Sequence, residues 1–188
     1  MTKDAEVVDR FVQACVKVQP ELHIRSEPFF RGIVAIPISQ EYLLQAYFVL
    51  NLSMKLERNA TLILYESSLP EEKSHRGKVD LILLTDENKL LVMESKYIDH
   101  HPGRTKRSSR TEHRKKVREQ VNSICSKLME DHQIPSYRIE RAILTNDEKM
   151  KKEEGGDIKV VFVSDSDLET WRELELAGML PQSIRGPE

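Results

Sequence analysis

The chain contains few cysteines, glycines, prolines and aromatic residues, and each scarcity excludes a class of protein. Its 188 residues include 2 cysteines, 7 glycines, 8 prolines and 6% aromatic residues. So little glycine and proline excludes collagen-like and low-complexity chains. Cys15 and Cys125 are far apart in the sequence, which gives neither a disulfide framework nor a CxxC metal motif and is typical of a reducing compartment.

Long apolar runs are absent as well. No uninterrupted stretch approaches the roughly 18 residues that a membrane span requires, so we expect no membrane partner. The first ten residues, MTKDAEVVDR, lack the apolar core of a secretion signal. We therefore expect an intracellular protein, either cytoplasmic or nuclear. The length and the hydrophobic fraction of 39% are sufficient for one domain with a sizeable core.

Charge is abundant but unevenly distributed along the chain. The formal net charge is only -2, yet residues 96–118 include nine basic and two acidic side chains. That segment therefore has a net charge of +7, and the rest of the chain has -9. A local basic segment on a mildly acidic protein indicates a phosphate-bearing partner at one place. A solvated loop and helix face would have the same composition.

The hydrophobic periodicity predicts an α/β fold. Helical spacing predicts helices over 5–18 and over 40–58, the second with Ser39 as its N-cap. A third helix is expected to begin after a candidate cap at Thr111 and to end before Pro135. The last helix is expected to run from Ser166 to Gly178, with Glu169 completing a capping box. Predicted strands are 61–67, 77–84, 89–96, 138–146 and 157–164. Residues 29–38, which contain Gly32 and Pro37, are expected to form an edge strand or extended segment, and 148–156 a loop.

These elements predict a single domain over residues 1–188, with a central mixed sheet flanked by helices. We expect an N-terminal helical extension over 1–38, a core over 39–164, and a C-terminal helix and tail over 165–188. We find no internal repeat and no linker in the sequence.

The strands at 77–84 and 89–96 are expected to form a hairpin whose register follows from its turn. A three-residue loop at 86–88, with Asn88 in the left-handed region, sets the pairs. The pairs are Leu84 with Leu90, Ile82 with Val92, and Asp80 with Glu94. Because side chains alternate between faces, Lys96 shares the face of both acids. Two opposed carboxylates repel each other, so they require a counter-charge, either Lys96 or a divalent cation.

An aspartate on one strand and Glu-x-Lys at the end of the next, in the order helix–strand–strand–strand–helix–strand, resembles the PD-(D/E)XK nuclease superfamily. The matching residues are Val79-Asp80 and Glu94-Ser95-Lys96, and the element order covers about residues 40–146. Val79 stands where the family usually has proline. The resemblance implies a restriction-endonuclease-like αβββαβ core and a nuclease that hydrolyses phosphodiester bonds with Mg²⁺ or Mn²⁺.

The resemblance also implies roles for individual residues. Asp80 and Glu94, with the backbone carbonyl of Ser95, would hold the metal, and Lys96 would orient the attacking water or stabilise the charge that develops on phosphate. Phosphodiester hydrolysis needs such groups, and Mg²⁺ accepts one or two carboxylates with water as its remaining ligands.

Many members of the family add a metal-binding glutamate from the first core helix. Glu41 and Glu57 are the candidates, and Glu41 is favoured. An acid in the first turn also stabilises a helix through its dipole, which is an equally good account of Glu41. The RecB-like subset has a glutamine on the second helix and a tyrosine four residues later. Gln120 matches that glutamine, but Ile124 stands at the tyrosine position.

In the family's order of elements, the helix after Glu-x-Lys flanks the active site. The basic residues of a predicted loop over 98–110 and of the helix after it would then line the route of a nucleic-acid backbone, with Gln120 beside them. They are Arg104, Lys106, Arg107, Arg110, Arg114, Lys115 and Arg118. We expect DNA as the substrate, with RNA open, and a homodimer or a larger host complex is open too.

Two alternatives remain at this point. The same fold without catalysis would bind nucleic acid through the basic segment alone. A protein-interaction domain would use Lys96 to neutralise the hairpin acids as a structural ion cluster.

Overall fold

The computed structural model describes residues 3–36, 39–70, 77–100, 107–152 and 156–179. The helices in these ranges are α1 (Lys3–Val18), α2 (Pro20–Ala35), α3 (Gln40–Leu50), α4 (Leu52–Leu56), α5 (Arg107–Glu130), α6 (Glu148–Lys152) and α7 (Asp165–Leu176). The strands are β1 (Ala60–Ser67), β2 (Val79–Thr85), β3 (Leu90–Lys96), β4 (Ile139–Thr145) and β5 (Ile158–Phe162). A single 3₁₀ turn, Ser136–Arg138, precedes β4.

The five strands form one mixed sheet in the order β1-β2-β3-β4-β5. The first three strands are antiparallel neighbours, whereas β3, β4 and β5 run parallel to one another. Helix α5 provides the crossover between β3 and β4 that a parallel pair requires. The predicted α/β class, with a mixed sheet flanked by helices, is confirmed.

Helices cover both faces of the sheet, so the core has two layers. On one face, α1 and α5 bury side chains such as Val8, Phe11, Val121 and Leu128 against even-numbered hairpin residues such as Val92. On the other face, α2, α3 and α7 pack against the odd-numbered residues of the same hairpin: Leu81, Leu83, Leu91 and Met93. Both faces of the hairpin are therefore buried, which accounts for its nearly continuous apolar sequence.

The hairpin has the predicted register. Leu84 pairs with Leu90 and Ile82 with Val92. Asn88 has a φ of 55°, the left-handed conformation that the three-residue loop requires. An asparagine tolerates this conformation better than most residues, and turn chemistry therefore fixes the register.

The prediction of an extended segment is wrong for residues 29–35, because they belong to α2. Phe30, Ile33 and Val34 follow helical spacing and are buried against α3 and the sheet. Pro20 at the start of α2 favours helix, and the helix also accommodates Pro28 and Gly32 in its interior. The free energy gained by burying one face of the helix thus outweighs the poor helix propensity of Pro28 and Gly32. Residues 37 and 38 lie outside the described ranges.

Three further boundaries differ from the predictions. Helix α5 already includes Arg107, so Thr111 is an interior residue and not a cap. Helix α7 is capped by Ser164, whose side chain accepts a hydrogen bond from the Asp167 N–H, so the predicted Ser166 cap is two residues late. Part of the predicted loop at 148–156 forms the short helix α6, and the predicted helix at 40–58 is interrupted at Asn51.

Gln19, between α1 and α2, occupies the outer edge of the sheet at β1. Its amide oxygen accepts a hydrogen bond from the Tyr65 main-chain N–H at 2.8 Å, and its amide nitrogen donates to the Tyr65 carbonyl at 2.7 Å. One side chain therefore satisfies both main-chain polar groups of an edge residue, as a neighbouring strand would.

No helix in the described ranges is both long enough and apolar enough to cross a bilayer.

Candidate active site

The candidate site begins with α3, whose sequence determines where its polar side chains lie. The side chain of Ser39 caps the helix by accepting a hydrogen bond from the Tyr42 N–H at 3.2 Å, as predicted. Glu41 and Gln45 are one turn apart and therefore lie on the same side of the helix. Most of α3 is apolar and packs on the sheet, and this packing brings Gln45 into the interior with no exposed surface.

The hairpin supplies two carboxylates at the end where its strands separate. The ladder between β2 and β3 ends at Leu81 and Met93, so Asp80 and Glu94 are not the ladder pair that the register predicts. Side chains replace the missing main-chain partners. Glu94 Oε1 accepts a hydrogen bond from the Asp80 N–H at 3.2 Å, and Asp80 Oδ2 accepts one from the Ser95 N–H at 2.6 Å.

Both carboxyls are held where ionisation is unfavourable. Glu94 is only 2% exposed, and burial, followed by repulsion from Asp80, raises its pKa above the ordinary range. Burial also raises the pKa of Asp80, although its hydrogen bonds from Ser95 partly oppose the shift. Repulsion from Glu66 and Glu41 adds to both shifts. Four acidic groups therefore influence one another at this end of the sheet.

Lys96 does not provide the counter-charge for the hairpin acids. Its Nζ lies 2.9 Å from Glu41 Oε2, and both side chains are about one-third exposed. Within the described ranges, no lysine or arginine forms an ion pair with Asp80 or Glu94. The hypothesis that Lys96 neutralises the pair directly is therefore not supported by the contacts it makes. Lys96 and Glu41 nevertheless lie at the same end of the sheet as the two acids.

A buried glutamine connects the acids to one another and to a tyrosine. Gln45 Nε2 donates to Ser95 Oγ at 2.6 Å and to Glu66 Oε1 at 2.9 Å. Its Oε1 accepts a hydrogen bond from the Tyr65 hydroxyl at 2.9 Å. Ser95 Oγ in turn donates to Asp80 Oδ2 at 2.6 Å. Every hydrogen bond in this series from Tyr65 through Gln45 and Ser95 to Asp80 therefore joins a donor to an acceptor, and Asp80 is the final acceptor.

Sequence reasoning missed Glu66 and Tyr65 as residues of this site. Glu66 has a φ of 45°, which an L-residue rarely adopts, and it sits within β1 near a register irregularity between Leu62 and Leu64. Strand alternation therefore gave no indication that its carboxylate faces the hairpin acids. Gln45 carried a weak signal, since a polar residue within an apolar helix requires partners when it is buried.

The other predicted glutamate lies elsewhere. Glu57 follows α4 and precedes β1, whose first residue, Ala60, pairs with Thr85 at the turn end of the hairpin. Glu57 is therefore at the opposite end of the hairpin from Asp80 and Glu94. Of the two glutamates proposed as a ligand from the first core helix, only Glu41 lies near the acids.

The basic residues predicted to line a nucleic-acid route fall into several environments. Arg104 and Lys106, and the side chain of Arg107, lie outside what the structure describes. Arg110 Nη2 donates to the Asp99 carbonyl at 3.2 Å, whereas Arg114 forms a largely buried ion pair with Asp147. Lys115, paired with Glu119 at 3.6 Å, and Gln120 are exposed, and Arg118 is half-buried and has partners. Arg114 therefore has a structural role in the fold.

The donor set fits a hard divalent cation, but only with additional ligands. Asp80, Glu94 and Ser95 offer oxygen atoms, which Mg²⁺ and Mn²⁺ prefer. Within the described ranges, no three His, Cys, Asp or Glu side chains are grouped so that they could hold a metal ion. Mg²⁺ commonly binds one or two carboxylates and completes its shell with water and substrate phosphate. The paired acids fit that mode of binding.

No family model, no curated protein and no solved structure matches this chain. The function proposed below therefore rests on the geometry of the site.

Proposed function

We propose that the protein is a metal-dependent nuclease with a PD-(D/E)XK-like active site at Asp80, Glu94 and Lys96. One observation carries the proposal. Two neighbouring carboxylates are held, largely buried, at the point where two strands separate, and no described basic side chain pairs with them. Such a pair is unfavourable unless a cation or a proton compensates it, and costly arrangements of this kind concentrate at functional sites.

Asp80 and Glu94, with Ser95, would hold Mg²⁺ or Mn²⁺. When bound, that ion would neutralise phosphate oxygens and make water a better nucleophile. The chain's own contribution is to fix the carboxylates before the metal arrives. Asp80 Oδ2 already accepts two hydrogen bonds from Ser95, and Glu94 Oε1 already accepts one from the Asp80 N–H. Pre-set ligands lose little conformational freedom on binding.

Lys96 would act on the substrate and not on the acids. The carboxylate of Glu41 holds the Lys96 ammonium group by an ion pair of 2.9 Å that remains partly accessible. A cation in that position can stabilise negative charge that develops on a phosphate in the transition state. Glu41 thus has a role as a positioning residue for Lys96, besides the metal-ligand role implied by the resemblance.

DNA is the favoured substrate because most members of the superfamily that the motif resembles cut DNA. RNA is the alternative substrate, because phosphate-binding side chains alone do not select a sugar. Cations at the start of α5 lie near the end of β3, since Arg110 contacts Asp99 three residues after Lys96. Phosphate contacts would give affinity and salt dependence without reading a sequence.

The proposal is tested with labelled single-stranded and double-stranded DNA and RNA in Mn²⁺, Mg²⁺ or EDTA. The wild type, Asp80→Asn, Glu94→Gln and Lys96→Met are compared with Glu130→Gln, which removes an exposed carboxylate at the far end of α5. We expect cleavage that requires metal and disappears in the three site variants but persists in Glu130→Gln. Cleavage in EDTA, or full activity of Glu94→Gln, would overturn the proposal.

Two other outcomes identify the alternatives. Salt-sensitive nucleic-acid binding without cleavage in any metal would identify a binding module on the same fold. Absence of both cleavage and binding would favour the interaction domain, with the acids as a structural cluster.

A further inference from the structure

A second cleft opens one strand away from the candidate active site. It has a volume of about 520 Å³ and lies at the carboxyl ends of the parallel strands β3, β4 and β5. His100, Arg110, Arg114, Asp147, Lys149 and Asp165 are among the residues that line it. Crevices at the carboxyl ends of parallel strands are common ligand sites in α/β proteins, and this volume is in the range of nucleotide-sized ligands.

A hydrogen-bonded connection joins this cleft to the candidate active site. Lys96 pairs with Thr145 in the register of β3 and β4, and Thr145 Oγ1 donates to the Lys96 carbonyl at 2.7 Å. The same hydroxyl accepts a hydrogen bond from the N–H of Asp147, which lines the cleft. Adjacent strands lie about 4.8 Å apart, so the cleft adjoins the Lys96 end of the candidate site.

The acids in the cleft already have partners. Asp147 is ion-paired with Arg114 and accepts a hydrogen bond from the Lys149 N–H at 3.1 Å. Burial works against ionisation of Asp147, yet these hydrogen bonds hold its pKa below the ordinary range. Asp165 Oδ1 accepts a hydrogen bond from Asn146 Nδ2 at 2.8 Å. Glu148, the third acid of the cleft, forms an exposed ion pair with Lys152 at 3.8 Å. None of the three acids therefore requires Arg110 or Lys149 as a counter-charge.

The remaining cations of the cleft lack acidic partners among the described residues. Arg110 is fixed through its Nη2 bond to the Asp99 carbonyl, and its Nε is buried without a hydrogen-bond partner. Among the residues that the structure describes, four arginine Nε atoms share that property, and of these four only Arg110 lines this cleft. In the part of the chain that the structure describes, no carboxylate lies within ion-pair distance of the Lys149 ammonium group. His100, on the segment after β3, adds a third nitrogen-bearing side chain.

We infer that this cleft binds a phosphate group, held by Arg110 and Lys149 with His100 beside them. A phosphate would supply the negative charge that these two cations lack as a partner, and a guanidinium group is well suited to phosphate oxygens. The inference rests on the proposed function only for the origin of the phosphate, which would be a nucleic-acid strand extending from the neighbouring acids. Phosphate binding itself requires neither metal nor cleavage.

The test measures binding in EDTA, so that it is independent of hydrolysis. The probes are inorganic phosphate and fluorescent single-stranded oligonucleotides with a 5′-phosphate or a 5′-hydroxyl. The variants are Arg110→Gln, Lys149→Gln and the double variant. Lys152→Gln is the control, because it removes an exposed lysine on the same short helix that does not itself line the cleft. Its ion pair with Glu148 is 3.8 Å long and exposed on both sides, so the loss of that pair should change the cleft little.

We expect Arg110→Gln and Lys149→Gln each to weaken oligonucleotide binding about tenfold, the loss of one charge-assisted hydrogen bond. Each should also reduce the slope of log affinity against log salt by about 0.7. Lys152→Gln should remain within about twofold of wild type, the small effect expected of an exposed charge. The double variant should lose less than the product of the single losses, because both side chains hold one group. Inorganic phosphate should compete with the oligonucleotide in wild type but not in the double variant.

The origin of the phosphate follows from the two oligonucleotides. Variant effects confined to the 5′-phosphorylated probe would identify a terminal phosphate, and equal effects on both probes would identify an internal one. Equal losses in Lys152→Gln and Lys149→Gln would overturn the inference, since diffuse charge would then explain binding. Absence of competition by phosphate would overturn it as well. Because Arg110 also anchors α5, the result for exposed Lys149 decides the case if Arg110→Gln fails to fold.

The proposed nuclease function and this cleft can fail separately. Phosphate binding with the expected variant effects, but no cleavage in any metal, would support the phosphate site and overturn the nuclease function. Metal-dependent cleavage that is unaffected by Arg110→Gln and Lys149→Gln would support the nuclease function and overturn the phosphate site.

Discussion

Lys96 on β3 forms an ion pair with Glu41 on α3, with 2.9 Å between Nζ and Oε2. It does not form one with Asp80 or Glu94, the acids of its own hairpin. The lysine therefore acts on the hairpin acids only through Glu41, whose carboxylate repels both of them. Removing either acid should leave the ion pair between Lys96 and Glu41 in place, because neither acid is part of it.

Lys96→Met should abolish most activity while leaving the fold nearly unchanged. The ion pair with Glu41 is about one-third exposed at both side chains, so its loss should cost less than about 1 kcal/mol. If Lys96 stabilises transition-state charge, the cleavage rate should fall by about 10²-fold to 10³-fold. Urea unfolding and single-turnover cleavage measure the two effects. A large loss of stability without loss of rate would show that Lys96 is structural.

Stability in EDTA should decrease as the pH rises from about 4 towards 8. Burial raises the pKa of both Asp80 and Glu94, so the native state binds protons in a range where the unfolded chain has released them. Their contribution is thus fully present below the ordinary carboxyl pKa and is lost as the pH rises through the raised values. A carboxyl whose pKa is higher by one in the folded protein contributes about 1.4 kcal/mol in this way. Denaturant unfolding at several pH values measures the slope, and Glu94→Gln should flatten it. An equal slope in Glu94→Gln would contradict this account.

Mn²⁺ should stabilise the wild type. A ligand that binds only the native state at 100 times its Kd adds about 2.7 kcal/mol, which corresponds to roughly 5–10 °C in Tm for a chain of this size. Asp80→Asn and Glu94→Gln should lose this increase, whereas Glu130→Gln should keep it. Differential scanning fluorimetry with and without EDTA measures the shift. The same increase in all four proteins would indicate metal binding elsewhere.

Gln45→Leu should be strongly destabilising. The substitution leaves the Ser95 hydroxyl, the Glu66 carboxylate and the Tyr65 hydroxyl without their shared partner in the interior. An unsatisfied buried group costs about 1–3 kcal/mol. Because Ser95 still donates to Asp80 and Glu66 is half-buried, the three losses are unequal, and we expect a total of about 2–3 kcal/mol. Tyr65→Phe, which removes one hydroxyl and leaves the other bonds of Gln45, should cost about 1 kcal/mol. Chemical denaturation measures the free energy of unfolding of both variants. Similar decreases in the two would show that Gln45 does not act as a shared partner of the three groups.

Arg114→Ala should strongly destabilise the fold. Asp147 is 1% exposed in its side chain and relies on Arg114 for its ion pair. Breaking a buried pair by removing one partner costs about 3–5 kcal/mol. Thermal unfolding measures this loss, and Asp147→Asn with Arg114→Ala should be less destabilising than the two single losses added together. A stable Arg114→Ala protein would show that this arginine is not structural.

The hairpin is well predicted because its information is local. Turn chemistry at Asn88 and strict alternation of apolar residues fix the register, since slipping by one residue would turn every buried side chain to the other face. The same logic locates Asp80, Glu94 and Lys96 at one end of the hairpin. It does not predict that pairing ends at Leu81 and Met93, because strand separation depends on the side-chain bonds that replace the ladder.

The misassigned elements are those whose conformation depends on tertiary packing. In α2, Gly32 and Pro28 argue locally against a helix, yet burial of Phe30 and Val34 favours one. Glu66 escapes prediction because its left-handed backbone conformation breaks the alternation on which strand assignment relies. Gln45 shows only that a buried amide needs partners, not which side chains provide them.

Gln19 has a consequence for how the molecule meets its neighbours. Its amide forms hydrogen bonds with the main-chain N–H and C=O of Tyr65 at the outer edge of β1, where another chain could otherwise add a strand. A glutamine in this position imitates a peptide group but cannot continue into a further strand. Continuous addition of a strand along β1, the first step of cross-β stacking, is therefore interrupted at Tyr65 by a single side chain.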